Sequence, residues 1–253
     1  MGNRILVYTA LFGGYDRLLE PMYIDDKCDY ICVTDDKTLV SEKWKIQLSN
    51  VENNPIEMNR MYKILPHRFF SSYDVAMYVD SNVQLKKSPS RLITDYLKEA
   101  PIVFPKHFLR NCIYQEAKVC LEHKKINSDE YTDIVENLLR KNKFPPDIGL
   151  AENNILIRDI SNPEIKNAME KWWVIFGSYA PRDQLSLMYV LWQEGLKYSF
   201  MKESSRNDNE YFSYELHKHN QSNNIFKNKL ISMASMRDKN IINKCIAKLL
   251  DKL

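Results

Sequence analysis

Asp80, Ser81 and Asn82 follow directly on the apolar run Val75-Ala76-Met77-Tyr78-Val79. A carboxylate and an amide oxygen two residues apart are hard oxygen ligands, suited to Mg2+ or Mn2+. Asn82 contributes an oxygen but no charge, so this pair needs help from elsewhere to hold a cation. All three residue types also favour turns, which is the purely structural alternative. Arg60 and Lys63 stand three apart in a helical pattern and share one face. Arginine offers a planar fork and lysine a point charge to a phosphate or a base edge. Asp35 and Asp36 close another short apolar run, where they can accept from a base N–H or from ribose hydroxyls. Together these groups suit a nucleotide-diphosphate site. Farther on, Glu152 and Asn153 precede a strand-like run and can hold sugar hydroxyls. Asp183 opens a helical pattern, where the helix N-terminus stabilises its charge. His217 and His219 offer imidazole to a metal. No Ser-His-Asp arrangement, glycine-rich phosphate loop or Cys-x-x-Cys competes with this set.

Alternating strands and helices must position these residues. Residues 5–11, 29–34, 44–48, 75–79 with 83 and 85 continuing, 102–104, 154–158 and 198–201 read as strands, most of them apolar without alternation. Helical spacing covers 56–70, 89–98, two segments within 112–143 that break at residues 127–129, then 163–176 and 182–193. Gly13-Gly14 marks a tight turn after the first strand. Residues 203–224 are polar and read as a loop. The pattern predicts an α/β fold with a mostly parallel central sheet flanked by helices, whose strand ends gather the polar clusters on one edge.

The chain is long enough for one large α/β domain or two small ones, and 44% hydrophobic residues supply a core. A net charge of +3, from 36 basic and 33 acidic side chains, is too balanced to argue for nucleic acid. Cys28 and Cys32 in one strand would lie roughly 13 Å apart, beyond disulfide reach. With the other three cysteines in no zinc-type spacing, free thiols in a reducing cytoplasm are expected. Neither a signal peptide nor an 18-residue apolar run is visible. Residues 225–253 form a separate expectation, a basic amphipathic helix following a domain of residues 1–224. Its apolar stripe would pack on its own domain, on a partner subunit or on an anionic membrane surface.

Five ordered blocks carry a family resemblance. They are Tyr8-Thr9-Ala10-Leu11-Phe12-Gly13-Gly14-Tyr15-Asp16, Cys28-Asp29-Tyr30-Ile31-Cys32-Val33-Thr34-Asp35-Asp36, Arg60-x-x-Lys63-x-x-Pro66-His67, Tyr78-Val79-Asp80-Ser81-Asn82 and Arg182-Asp183-Gln184-Leu185-Ser186. Over residues 5–220 the chain resembles the mucilage-related glycosyltransferase-like family, long known as a domain of unknown function. The resemblance implies a GT-A fold, a nucleotide-sugar donor and a divalent cation, Mn2+ or Mg2+. Metal-dependent GT-A enzymes carry Asp-x-Asp where this chain has Asp80 and Asn82. By the same resemblance Thr9, Asp35, Asp36, Arg60 and Lys63 hold the nucleotide with Ser81 beside it, and His217 is a third metal ligand. Asp183 lies at the reacting sugar or acceptor. It is the expected general base ahead of Glu152 if the reaction inverts the anomeric carbon, and a sugar-binding group if it retains configuration. The expected activity is sugar transfer to a glycan or lipid-linked acceptor in surface polysaccharide assembly, in the cytoplasm or on the inner face of the membrane. A sugar nucleotidyltransferase and a non-catalytic binding module of an assembly complex are the alternatives.

Overall fold

The computed structural model describes residues 4–50, 54–179, 181–218 and 221–250. Its first strand, β1 (Ile5–Leu11), is buried at every residue because it lies inside a sheet covered on both faces. β2 (Cys28–Thr34) and β3 (Lys45–Leu48) extend the sheet to one side, and β4 (Val75–Val79) lies on the other. Beyond β4 come β7 (Ile155–Asp159), β6 (Ile102–Pro105) and β8 (Ser199–Met201), giving the order β3-β2-β1-β4-β7-β6-β8. Pairings are parallel except where β7 runs against β4 and β6. The expected mostly parallel sheet is therefore present, with one reversed strand.

Helices cover both faces. On one pack α1 (Pro55–Ile64), the short α2 (Pro66–Phe69), α4 (Ile113–Glu122), α6 (Pro163–Ser178) and α7 (Leu187–Gln193), burying Tyr8, Tyr62 and Trp172. The same layer includes α5 (Ser128–Thr132), which runs into a π-helical segment, Asp133–Arg140. On the other face lies α3 (Ser90–Leu97), through Leu92 and Ile93.

The single helix expected over 56–70 is two. Asn54 caps α1 by accepting from the Glu57 N–H at 2.9 Å, and Pro55 pre-sets its first turn. Pro66 then forces Leu65 out of helical geometry and starts α2. The carbonyls of α1's last turn have no intrahelical partners. Tyr8 of β1 donates its hydroxyl to the carbonyls of Tyr62 and Lys63, at 3.1 and 3.2 Å. Arg158 of β7 donates to the Tyr8 oxygen at 2.7 Å and to the Ile64 carbonyl at 3.3 Å. Arg158 is wholly buried, and burial lowers its pKa from the usual arginine value. Two central strands thus grip the end of α1.

Residues 203–224 are not a plain loop. They contain β9 (Phe212–Tyr214), antiparallel to β5 (Val83–Leu85) in a two-stranded sheet beside the main one. Polar flanks masked this three-residue strand, whose order comes from pairing with residues about 130 positions earlier. The C-terminal helix is likewise two, α8 (Ile225–Ser235) and α9 (Ile241–Leu250). Asn224 caps the first, and Asn240 accepts from the Asn243 N–H at 2.9 Å to start the second. Among the described residues no helix is long and apolar enough to cross a membrane.

Replacing Arg158 by Ala should lower unfolding free energy by about 3 kcal/mol, from the cavity and the buried carbonyl left unpaired. Urea denaturation measures it, and a loss under about 0.5 kcal/mol, the scale of a surface substitution, would show that Tyr8 alone holds the α1 terminus.

Candidate active site at the carboxyl ends of the central strands

The chain leaves β1 on one side for β2 and β3, then returns across it to β4. Such a reversal opens a crevice at the carboxyl ends of the strands on either side, here β1 and β4. A cleft of about 260 Å3 lies there. It brings together seven of the expected site residues: Arg60, Lys63, Asp80, Asn82, Glu152, Asp183 and His217.

Lys63 is the centre. It is 2% exposed rather than solvated on a helix face. Its ammonium lies 2.8 Å from Asp183 Oδ2, 3.5 Å from Asp80 Oδ1 and 5.0 Å above the Tyr78 ring. Arg60, one turn earlier on α1, lies 3.4 Å from the other Asp183 oxygen. Burial would raise the Asp183 pKa, but Arg60, Lys63 and Arg182 outweigh it and hold the carboxyl far below the usual aspartate range. Asp183 sits in a 3-10 turn (Asp183–Leu185), not the first turn of a long α-helix. Its charge is stabilised by cations.

Asp80 follows β4 and stays partly open, with 29% of its side chain accessible. Tyr78 donates its hydroxyl to Asp80 Oδ1 at 2.8 Å. Asn82 donates its amide N–H to the Glu215 carbonyl at 2.9 Å, and the Glu215 N–H returns a bond to the Asn82 carbonyl at 2.9 Å. With its nitrogen committed, Asn82 has its amide oxygen for a ligand. The same pairing of β5 with β9 brings His217 to the cleft. Its Nδ1 hydrogen-bonds Asp16. Burial raises the Asp16 pKa, yet bonds from His217 and from the Lys218 and Arg17 N–H groups lower it overall. Among the described residues no three His, Cys, Asp or Glu side chains gather as a complete metal site. One carboxylate, one amide oxygen and one imidazole are donor types that a hard divalent cation accepts.

Glu152 is 5% exposed. Arg206 bonds its Oε1, while its Oε2 is buried with no hydrogen-bond partner among the described residues. Burial raises the Glu152 pKa, outweighing Arg206, and Asp80 and Asp238 add to the rise. Asn153 beside it is 4% exposed, and neither amide atom has a hydrogen-bond partner among the described residues. Buried polar atoms in this condition are costly unless a ligand or water completes them. His107 also lines the cleft, pushed down to about 3 by burial and by Arg110, Arg206 and Lys125. Lys125 and Arg182 line it with no carboxylate in ion-pair range among the described residues.

Four expected residues stand elsewhere. Thr9 is fully buried within β1, its hydroxyl without a hydrogen-bond partner among the described residues. Asp35 accepts from the Gly13 N–H at 3.0 and 3.1 Å, pinning the glycine turn. Gly13 has φ +65°, and a Cβ there would come within 2.7 Å of Pro55. Asp36 closes a turn by accepting from Thr38, and borders a second cavity of about 280 Å3 with Leu11, Gly14, Thr34 and Leu39. Ser81 is half-buried in the turn after β4 and does not line the cleft. Sequence reasoning missed Tyr78, Asp16, Arg206 and Arg182 as parts of the site. Tyr78 and Arg182 lay inside quoted blocks, but Arg206 had no local pattern to mark it.

Residues 2–217 match the model of the TOD1/MUCI70 glycosyltransferase-like domain. Sheet order, flanking helices and strand-end cleft are those of a GT-A-like α/β transferase fold. The chain belongs to the TOD1/MUCI70 glycosyltransferase-like family. Among solved structures it is similar to the apo form of the WbbM bifunctional glycosyltransferase, with a TM-score of 0.51 and 12% sequence identity. That likeness covers 79% of this chain and 39% of the other, and bears on fold alone. No protein of curated function matches the sequence.

Changing Asp183 to Asn should cost about 3–5 kcal/mol, because Lys63 and Arg60 lose the charge that pairs them inside the fold. The folded Asp183 pKa is depressed, so its contribution is full above the unfolded value, about 3.9, and is lost as pH falls toward the folded one. Thermal unfolding across that range should show a shallower acid loss in the variant, and parallel curves would remove Asp183 from this role.

Proposed function

We propose that the chain transfers a sugar from a nucleoside-diphosphate donor to a hydroxyl of a glycan or lipid-linked acceptor, in assembly of a surface polysaccharide or glycolipid. One observation carries the reading. Buried Lys63 and half-buried Arg60 share with Asp80 and Asn82 the cleft that also contains a buried glutamate, one carboxylate oxygen of which has no hydrogen-bond partner among the described residues.

The diphosphate would lie against Lys63, Arg60 and Arg182, and the base and ribose in the adjoining cavity at Asp36. Asp80, Asn82 and His217 would hold Mn2+ or Mg2+. When bound, such a cation offsets charge on the diphosphate oxygens. Lys63 and Arg60 offset the charge that develops as the nucleoside diphosphate leaves, held in place by Asp183. Asp183 is a poor base because its carboxyl is so acidic. Glu152 suits the task better. Its pKa is raised, Arg206 fixes its orientation, and its second oxygen can take the acceptor proton. A single displacement assisted in this way inverts the anomeric carbon. The order of the two carboxylates is thus the reverse of that expected from sequence. Asn153 beside Glu152, without a hydrogen-bond partner among the described residues, would bond sugar hydroxyls.

Thermal unfolding with UDP, GDP, CDP and CMP, each with and without Mn2+, tests the donor site. One nucleotide should raise the midpoint in a cation-dependent way, by about 2.7 kcal/mol of stabilisation at a hundredfold excess over Kd. Asp80→Ala should lose that shift and stay folded. No shift with any nucleotide would favour the non-catalytic binding module, to which the uncharged Asn82 is suited. With the donor identified, Glu152→Gln should lower turnover by about 10^2 to 10^4. In the wild type kcat/KM should rise with pH through a pKa above the usual glutamate range. That limb should vanish in the variant, and its persistence would exclude Glu152 as the base.

A further inference from the structure

Among the described residues, the helical hairpin α8–α9 leaves more large apolar surface open than any other part of the chain. Ile225, Phe226, Ile241, Ile242 and Leu249 are between 65% and 84% exposed. On α9, Asn243 and Ala247 are buried, and at 100° per residue Ile241, Cys245 and Leu249 lie on the opposite side. Lys244 and Lys248 run along the edge of that stripe, exposed. Lys227 and Lys229 follow Phe226 on α8 in the same way. Over residues 221–250 there are six basic side chains and one acidic one, Asp238, although the whole chain carries only +3. The excess positive charge of the protein is concentrated here.

The turn between the two helices reaches the cleft. Arg206, which holds Glu152, donates to the Ser235 carbonyl at 2.9 Å, and Arg237 stacks over Phe108 at 5.3 Å in the cleft wall. Asn207 and Asp238 pair as a parallel bridge. The apolar and basic hairpin is thus anchored to the rim of the site.

We propose that α8–α9 docks the protein on an anionic lipid bilayer, with Ile241, Ile242, Leu249, Ile225 and Phe226 entering the headgroup boundary and the lysines facing lipid phosphates. Apolar side chains flanked by lysine on a short helix are what an interfacial segment needs. A second copy of this chain fits less well, because the same exposed lysines would face one another. The docking deepens the transferase reading by placing the cleft rim at the surface where a lipid-linked acceptor resides.

The test is vesicle flotation of the full chain without nucleotide or cation, so its result stands apart from that of the donor assays. Vesicles of equimolar phosphatidylcholine and phosphatidylglycerol should carry the wild type up, and vesicles of phosphatidylcholine alone should not. Binding should weaken with added salt. Lys244→Glu with Lys248→Glu should weaken it about tenfold or more, and Ile241→Ser with Leu249→Ser should weaken it comparably. Circular dichroism and an unchanged thermal midpoint would show that each variant is folded. Absence of flotation, equal binding to both vesicles, or a dimer in light scattering that Ile241→Ser dissociates would overturn the proposal.

Discussion

An ammonium group taken out of water must find negative charge and hydrogen-bond acceptors, and Lys63 imposes that requirement at the middle of this fold. Asp183 meets it from one side at 2.8 Å and Asp80 from the other at 3.5 Å. These two aspartates lie about a hundred residues apart in the chain, so the lysine joins the turn after β4 to the segment before α7. Arg60 completes the arrangement by taking the second oxygen of Asp183. The cations of the cleft are thus held in place by ion pairs within the fold.

The position of Lys63 depends in turn on β1 and β7. Tyr8 and Arg158 bind the carbonyls that α1 leaves unsatisfied at its C-terminus. A helix end tied to the two strands on either side of β4 cannot slide relative to Asp80. The small sheet does the same for the other wall. Pairing of β5 with β9 fixes Asn82 against Glu215, and His217 follows two residues later, oriented by Asp16 from the loop after β1.

Two carboxylates in one cleft are driven apart in acidity by their surroundings. Asp183 faces cations on both oxygens and is a structural anion. Glu152 is as deeply buried but shares only one oxygen with Arg206, so desolvation dominates. Arg206 reaches that position while bonded to Ser235 at the end of α8, a segment beyond the family match that ends at residue 217.

The sequence by itself determined the alternation of strands and helices, the family, and the strand-end placement of Asp80 and Asn82. These are local properties: hydrophobic runs, glycine and proline punctuation, and ordered motif blocks are written within a few residues of one another. Local pattern also over-extended some elements. Pro66 and Asn240 divide what periodicity joined, and β9 has too little intrinsic preference to stand out from polar neighbours. Only the tertiary structure decided that Lys63 is buried, that Asp183 is paired and Glu152 half-paired, and that Asp35 braces the Gly13 turn. The reason is physical. Whether a carboxylate serves as counter-ion or base depends on burial and on charges within a few ångströms, and apart from Arg182 beside Asp183 those charges come from residues distant in the chain.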